Sequence, residues 1–164
     1  MIRKLNNKNL KLIGNGADSI SSNSTSLTLL RSLLVPANSI KQFDVVRFTA
    51  FFRKSGTSSN NTIYLYWNTS ASLTGAVLLG SYQITAASLI RYALVNRSAV
   101  FATSSIAQIL DTSTLTVNDF GDYAGGTSNV SINTAADGYL IAAALGSTAR
   151  LVDSITCSFI FIEI

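Results

Sequence analysis

Two strand-like patterns flank Pro36, the only proline of the chain, between residues 26 and 54. The first pattern, SLTLLRSLLV, is a nearly continuous apolar run, and the second, DVVRFTAFFR, alternates two partly apolar sets of residues. Because proline has no N–H to donate to a sheet, Pro36 is expected where the first strand leaves its sheet or crosses to the next. Residues 37–42 are then predicted to turn the chain, which makes this stretch the corner of a β-sandwich.

Eight further segments have the length and composition of strands and are separated by turns rich in Gly, Ser and Asn. In the segment TIYLYW, Ile63, Leu65 and Trp67 fall on one face, whereas Tyr64 and Tyr66 fall on the other. Glutamate occurs once and lysine five times, so residues that favour exposed helix faces are scarce. The predicted strands are residues 27–35, 43–53, 62–67, 77–84, 89–96, 105–110, 113–117, 129–133, 139–145 and 155–164.

The pattern predicts an all-β fold, an antiparallel jelly-roll-like β-sandwich of roughly 8–10 short strands. This domain spans residues 24–164, and residues 1–23 form an extended N-terminal arm. Residues 86–95 also fit a helix, but they lack an N-cap and an acidic first turn, which favours a strand. The final segment, SFIFIEI, is apolar and nearly uncharged, an aggregation hazard at an exposed edge. We therefore expect it to be paired on both sides or covered by another subunit.

The composition favours an oligomer. Charged residues make up 12% of the chain, about half the ~25% of an average soluble domain, while hydrophobic residues reach 48%. A chain of this kind exposes large apolar surfaces as a monomer, and such surfaces mark subunit contacts. No apolar run approaches the ~18–20 residues of a membrane-spanning helix, so membrane insertion is not expected.

The positive charge is concentrated at the N-terminus. Four basic residues precede the first acid, Asp18, and the rest of the chain holds eight basic and eight acidic residues. Basic side chains that alternate with apolar ones favour docking on another protein over binding nucleic acid, for which affinity grows with the number of phosphate contacts. A solvated tail is the alternative. The predicted docking residues are Arg3, Lys4, Leu5, Lys8, Leu10, Lys11, Leu12 and Ile13.

The sequence has few candidate catalytic residues, because it contains no histidine and only one cysteine. Ser-His-Asp and Cys-His arrangements are excluded, as is a zinc site built from cysteine and histidine. The segment NDFGDYAGG, residues 118–126, lacks the ligand spacing of an EF-hand loop and is expected to be a solvated turn. Cys157 is expected to be a small buried hydrophobe. We predict no enzyme, no catalytic residue, no cofactor and no metal.

The tyrosines have two interpretations. Large aromatic side chains dominate cores and subunit contacts, which is the favoured interpretation here. They also stack on sugar rings, and a host surface glycan is a conceivable partner. The predicted glycan contacts are Tyr64 and Tyr66, together with Tyr123 from the Gly-rich loop.

Several segments resemble a β-sandwich module of tailed-bacteriophage virions, similar to modules in tail-fibre, head-fibre and capsid-decoration proteins. VPAN at residues 35–38 corresponds to the IPAN of that module, and VNRS at residues 95–98 corresponds to its x-N-R-S segment. VDSITC at residues 152–157 corresponds to its final strand. The return strand NTIYLYW differs from the family pattern, because it has aromatic residues where Lys and Arg are common. The final strand also differs, because it has Cys157 and Ser158 where an acidic residue is common in the family.

The resemblance covers residues 24–164 and implies a jelly-roll that trimerises and has no catalytic residues. It implies a bacteriophage virion structural protein, a head-fibre, capsid-decoration or tail-fibre component that its N-terminal arm anchors to other virion proteins. Such a protein assembles in the bacterial cytoplasm and is exposed on the particle surface. Two alternatives stay open: a receptor- or carbohydrate-binding tail module, and an RNA-encapsidating jelly-roll coat protein.

Overall fold

The computed structural model describes residues 12–13, 19–22, 24–56, 59–86, 92–103, 105–110, 127–147 and 154–164. These residues form strands and turns, and none of them lies in a helix. The strands are β1 (Leu12–Ile13), β2 (Ser19–Ser22), β3 (Thr28–Val35), β4 (Val45–Ser55), β5 (Asn61–Asn68), β6 (Val77–Ile84), β7 (Tyr92–Thr103), β8 (Ile106–Leu110), β9 (Thr127–Ser131), β10 (Gly138–Gly146) and β11 (Ser154–Glu163).

The strands form two sheets, and every pairing between neighbours is antiparallel. The larger sheet has seven strands in the order β1-β11-β4-β7-β8-β9, and β2 also pairs with β11. The smaller sheet has four strands in the order β3-β10-β5-β6. Buried apolar side chains of both sheets belong to one core, as in a β-sandwich. The predicted all-β, antiparallel class is confirmed.

Alternate side chains of the strands pack into the core between the two sheets. Ile63 and Leu65 of β5 are fully buried, and so are Phe48 and Phe52 of β4 in the other sheet. The rings of Phe48 and Trp67 lie 6.3 Å apart between centroids at an angle of 57°, so large aromatic side chains join the two sheets. The face of β5 that carries Ile63, Leu65 and Trp67 is therefore the one that faces the core.

Pro36 lies at the predicted corner. β3 ends one residue before it in the smaller sheet, and β4 begins at Val45 in the larger sheet. Asn38 adopts a φ of 60°, a left-handed conformation that asparagine tolerates better than most residues. The backbone N–H of Asn38 donates to the carbonyl of Thr134 at 2.7 Å, and that of Ala37 donates to Oδ1 of Asp137 at 2.8 Å. These bonds fix the crossing between the sheets.

Strand boundaries differ from prediction most clearly in β7. The prediction ended this strand at Asn96, just before the polar residues Arg97 and Ser98. The strand continues to Thr103, since Asn96 accepts a hydrogen bond from the Thr49 hydroxyl at 2.7 Å and the ladder with β4 runs on to Val100. Pairing with β4 thus overrides the local polarity. The predicted strand at residues 113–117 lies outside the described residues.

Part of the predicted N-terminal arm pairs with the sheet. Leu12 is opposite Ile162, and Ser19 is opposite Cys157, so β1 and β2 both lie along β11. The other edge of β11 pairs with β4. Of the two predicted ways to protect the last strand, pairing on both sides or cover by another subunit, the structure has the pairing. Residues 1–11 lie outside the described residues.

Candidate interaction surfaces

The two predicted sugar-contacting tyrosines of β5 lie side by side on the outer face of the smaller sheet. The rings of Tyr64 and Tyr66 are stacked, with centroids 5.8 Å apart and an interplanar angle of 22°, and both side chains are half-buried. The stack occupies one face of each ring, which leaves at most one face of each for a sugar. Burial raises the pKa of Tyr66, and the nearby phenol of Tyr64 raises it further. Tyr123 lies outside the described residues.

A second aromatic surface lies on the outer face of the larger sheet, and we call it the aromatic row: Tyr92, Phe51, Phe159 and Phe161. Phe51 stacks on Tyr92 at 5.7 Å and on Phe159 at 5.2 Å, and Phe159 stacks on Phe161 at 5.9 Å. The row crosses β7, β4 and β11, and its three phenylalanines are only half-buried. The sequence indicated that both faces of β4 are partly apolar, but only the pairing of Phe51 with Phe159 assembles the row.

Exposed aliphatic residues extend this apolar face. Val45 is 66% exposed and lies opposite Val100, which is 42% exposed, while Leu94 is 41% exposed. A polar contact interrupts the face where Arg47 forms an ion pair with Glu163 at 3.3 Å. Apolar side chains this exposed and this close together are typical of a contact surface.

Cations buried between the sheets have structural partners. Arg31 of β3 donates from Nε to the carbonyl of Cys157 in β11 at 3.0 Å. Lys54 of β4 donates from Nζ to the carbonyl of Thr85, just after β6, also at 3.0 Å. Each bond joins one sheet to the other, and a buried charge needs such hydrogen bonds. The burial of Arg31 and Lys54 could not be predicted, because backbone carbonyl partners have no sequence signature.

The remaining predicted site residues are placed as follows. The backbones of Leu12 and Ile13 form β1, whereas Arg3, Lys4, Leu5, Lys8, Leu10 and Lys11 lie outside the described residues. Cys157 is fully buried, and its Sγ lies 3.5 Å from the carbonyl of Phe159. Within the described part of the chain, no group of three His, Cys, Asp or Glu side chains is arranged to hold a metal ion, and no helix is long and apolar enough to cross a membrane.

Comparison of the sequence with protein-family models and with curated proteins gives no match.

Proposed function

We propose that this chain is a structural component of a bacteriophage particle, a trimeric jelly-roll that serves as a head fibre, capsid decoration or tail-fibre part. The observation that carries the proposal is the aromatic row with its exposed aliphatic neighbours on the outer face of the larger sheet. Such a face favours a protein that functions by assembling with other subunits.

The strand pairing supports a jelly-roll. Four antiparallel pairs nest inside one another: β5 with β6, β4 with β7, β3 with β10, and β2 with β11. One long hairpin rolled into two four-stranded sheets produces this nesting, with sheet orders β2-β11-β4-β7 and β3-β10-β5-β6. β8 and β9 then extend the larger sheet beyond β7. Jelly-rolls of this kind recur in viral capsid and lectin domains.

The composition of the apolar face supports assembly through it. Interface cores are enriched in aromatic residues and depleted of charged ones, and the aromatic row has both properties. The neighbouring ion pair of Arg47 with Glu163 is solvent-accessible and suits the rim of a contact. Contact with another subunit, through either a different sheet face or the same face of that subunit, would remove Phe51, Phe159 and Phe161 from water.

The anchoring role falls to residues 1–11. This segment has four basic side chains and the apolar residues Leu5 and Leu10, and it ends where β1 begins on β11. The backbones of Leu12 and Ile13 pair with β11, so these two residues can take part in docking only from their position in the sheet. Apolar anchors with charge steering suit attachment to another virion protein.

Native mass spectrometry tests the proposal directly. The unaltered chain is expected as a trimer, and the double substitution Phe51→Ser and Phe159→Ser is expected to yield monomers, because it removes the centre of the aromatic row. Tyr64→Ser with Tyr66→Ser is the matched control, since it removes an aromatic stack of similar exposure from the other sheet, and it should stay trimeric. An unaltered chain that is monomeric contradicts the proposal, and a large closed shell would favour the coat-protein alternative.

A further inference from the structure

Phe43 occupies a turn position that glycine or asparagine usually fills. Its φ is 67°, in the left-handed region. The other described residues with such a φ are Asn38, Gly56 and Gly75. Phe43 is the third residue of a turn that the N–H of Asp44 closes on the carbonyl of Lys41 at 3.1 Å. A side chain as bulky as phenylalanine is strained in this conformation.

Hydrogen bonds to the end of β7 hold the turn in place. The N–H of Phe43 donates to the carbonyl of Phe101 at 2.7 Å, and the N–H of Phe101 donates to the carbonyl of Asp44 at 3.0 Å. Phe43 and Asp44 thus share one partner residue, the arrangement of a β-bulge. The N–H of Lys41 also donates to Oδ2 of Asp44 at 2.7 Å. The conformation of Phe43 is therefore fixed by its surroundings.

The strain brings the ring of Phe43 no burial within its own chain. Phe43 is 75% exposed, more than any other large apolar residue in the described part of the chain. Exposed Val45 follows it at the start of β4, opposite exposed Val100 of β7. We call Phe43, Val45 and Val100 the Phe43 patch. Strained residues cluster where function requires them, and exposed apolar patches mark contacts, so the patch indicates a contact with another molecule.

The charges around the patch favour another copy of this chain as its partner. Lys41 and Asp44 belong to the same turn as Phe43, and the paired Arg47 and Glu163 line a small depression together with Val45. These four described side chains give the rim two basic and two acidic groups. A rim without an excess of either sign does not repel an identical subunit, and it offers little to a strongly acidic or basic partner.

The symmetry of a trimer indicates what the patch meets. Each subunit of a ring contacts its two neighbours through two different surfaces. The larger sheet has an apolar surface at each end: the Phe43 patch where β4 begins, and the aromatic row in the second half of β4. Phe51 lies six residues after Val45, about 20 Å along the strand. Exposed aromatic rings offer a phenyl ring favourable packing partners.

We propose that the Phe43 patch of one subunit docks on the aromatic row of the next subunit, with Phe43 as the principal contact. The proposal rests on the proposed trimer, because it assigns the second surface of that contact. Docking compensates in the complex for the strain and the exposed ring of the free chain. If a different protein occupied the patch, the trimer would stay intact when Phe43 is replaced.

The equilibrium constant for folding tests the strain. It is measured by urea denaturation in the variant with Phe51→Ser and Phe159→Ser, which is expected to be monomeric. Phe43→Asn should raise this constant by about fivefold or more, because asparagine tolerates the left-handed conformation. Phe43→Ala is the matched control, since it removes the ring but keeps a side chain that disfavours this φ. If the asparagine variant is no more stable than the alanine variant, Phe43 is not strained and the proposal loses its basis.

The oligomeric state tests the contact. In native mass spectrometry, Phe43→Asn should weaken association of the otherwise unaltered chain by about tenfold or more, although it stabilises the fold. Phe43→Tyr keeps a ring at this position and should remain trimeric. A trimer that persists in Phe43→Asn overturns this inference alone. An unaltered chain that is monomeric overturns the proposed trimer as well.

A cross-link identifies the receiving surface. In a Cys157→Ala background, Val45→Cys and Leu94→Cys place one thiol at each apolar end, because Leu94 lies opposite Phe51. A short bis-maleimide cannot span the roughly 20 Å between these positions within one chain, so it should link the chains of the double variant to one another. Each single-cysteine variant should stay unlinked. An unlinked double variant, or linked chains with Val45→Cys alone, would overturn docking on the aromatic row.

Discussion

The indole of Trp67 lies against Gly138 so closely that no side chain fits between them: a Cβ on residue 138 would be 2.1 Å from Cζ2 of Trp67. Trp67 is near the end of β5, and Gly138 opens the neighbouring strand β10. The ring is deep in the core, so it has little room to withdraw. We expect Gly138→Ala to lower the free energy of unfolding by about 1–3 kcal/mol through overpacking, measured by urea denaturation.

The cause of that loss is tested by a double-mutant cycle. Trp67→Phe removes the part of the ring that a methyl group on residue 138 would overlap. Gly138→Ala should therefore cost less in the Trp67→Phe background than in the unaltered chain, with unfolding followed by circular dichroism in all four proteins. If Gly138→Ala lowers the free energy of unfolding equally in the two backgrounds, glycine is required at residue 138 by the backbone of β10 and not by contact with the indole.

The thiol of Cys157 gives a second prediction, about opening of the larger sheet. It is fully buried in β11, between β4 and β2. An aromatic disulfide reagent should react with the native chain at least about a thousandfold more slowly than with the urea-unfolded chain, since access requires opening of a domain of ordinary stability. The chain has one cysteine, so Cys157→Ala gives the blank. Rapid labelling in native buffer would show that β11 opens locally.

Features that depend on local pattern could be predicted from the sequence. Alternation placed Ile63, Leu65 and Trp67 on one face of β5 and Tyr64 and Tyr66 on the other, as the structure has them. The missing N–H of Pro36 predicted the corner between the sheets. Both inferences use only the chemistry of one residue or a period of two, and neither needs a distant partner.

Features that depend on register could not be predicted. The aromatic row requires Phe51 of β4 to lie opposite Phe159 of β11, and an irregularity between Cys157 and Phe159 sets this alignment. A shift of one residue would turn Phe159 to the other face. The burial of Arg31 and Lys54 depends in the same way on carbonyl groups of distant strands. Long-range pairing decides these contacts, and one sequence does not reveal it.

A third prediction concerns alkaline pH. The pKa of Tyr66 is raised from its ordinary value of 10.0, first by burial and then by Tyr64. The folded chain thus keeps a proton that the unfolded chain releases, so stability is full below about pH 10 and falls as pH rises through the folded pKa. The free energy of unfolding is measured by urea denaturation between about pH 8 and 11. It should decrease less with rising pH in Tyr66→Phe than in the unaltered chain.

Tyr64→Phe is the matched variant for that experiment. It removes the neighbouring phenol but leaves Tyr66 half-buried, so the alkaline loss of stability should become smaller without disappearing. If Tyr66→Phe shows the same slope as the unaltered chain, other groups are responsible for the loss.

The fourth prediction separates two proposed roles of the N-terminal residues, protection of the edge of β11 and docking on a partner. β1 and β2 pair with one edge of β11, whose sequence SFIFIEI is strongly β-prone. Removal of residues 1–11 leaves both strands in place and should leave solubility and oligomeric state unchanged. Removal of residues 1–23 uncovers the edge of β11, so this shorter chain should aggregate and bind thioflavin T.

The same two truncations test anchoring, because the proposed docking residues that precede β1 are absent from both. If the chain is the proposed virion component, co-sedimentation with its phage particle should be lost on removal of residues 1–11, while native mass spectrometry should show the same oligomeric state as for the unaltered chain. Substitution of Arg3, Lys4, Lys8 and Lys11 by glutamine should weaken attachment and its dependence on salt, since it removes the charge steering and keeps Leu5 and Leu10. Attachment that survives the removal of residues 1–11 would assign the particle contact to the β-sandwich, with the aromatic row as its first candidate.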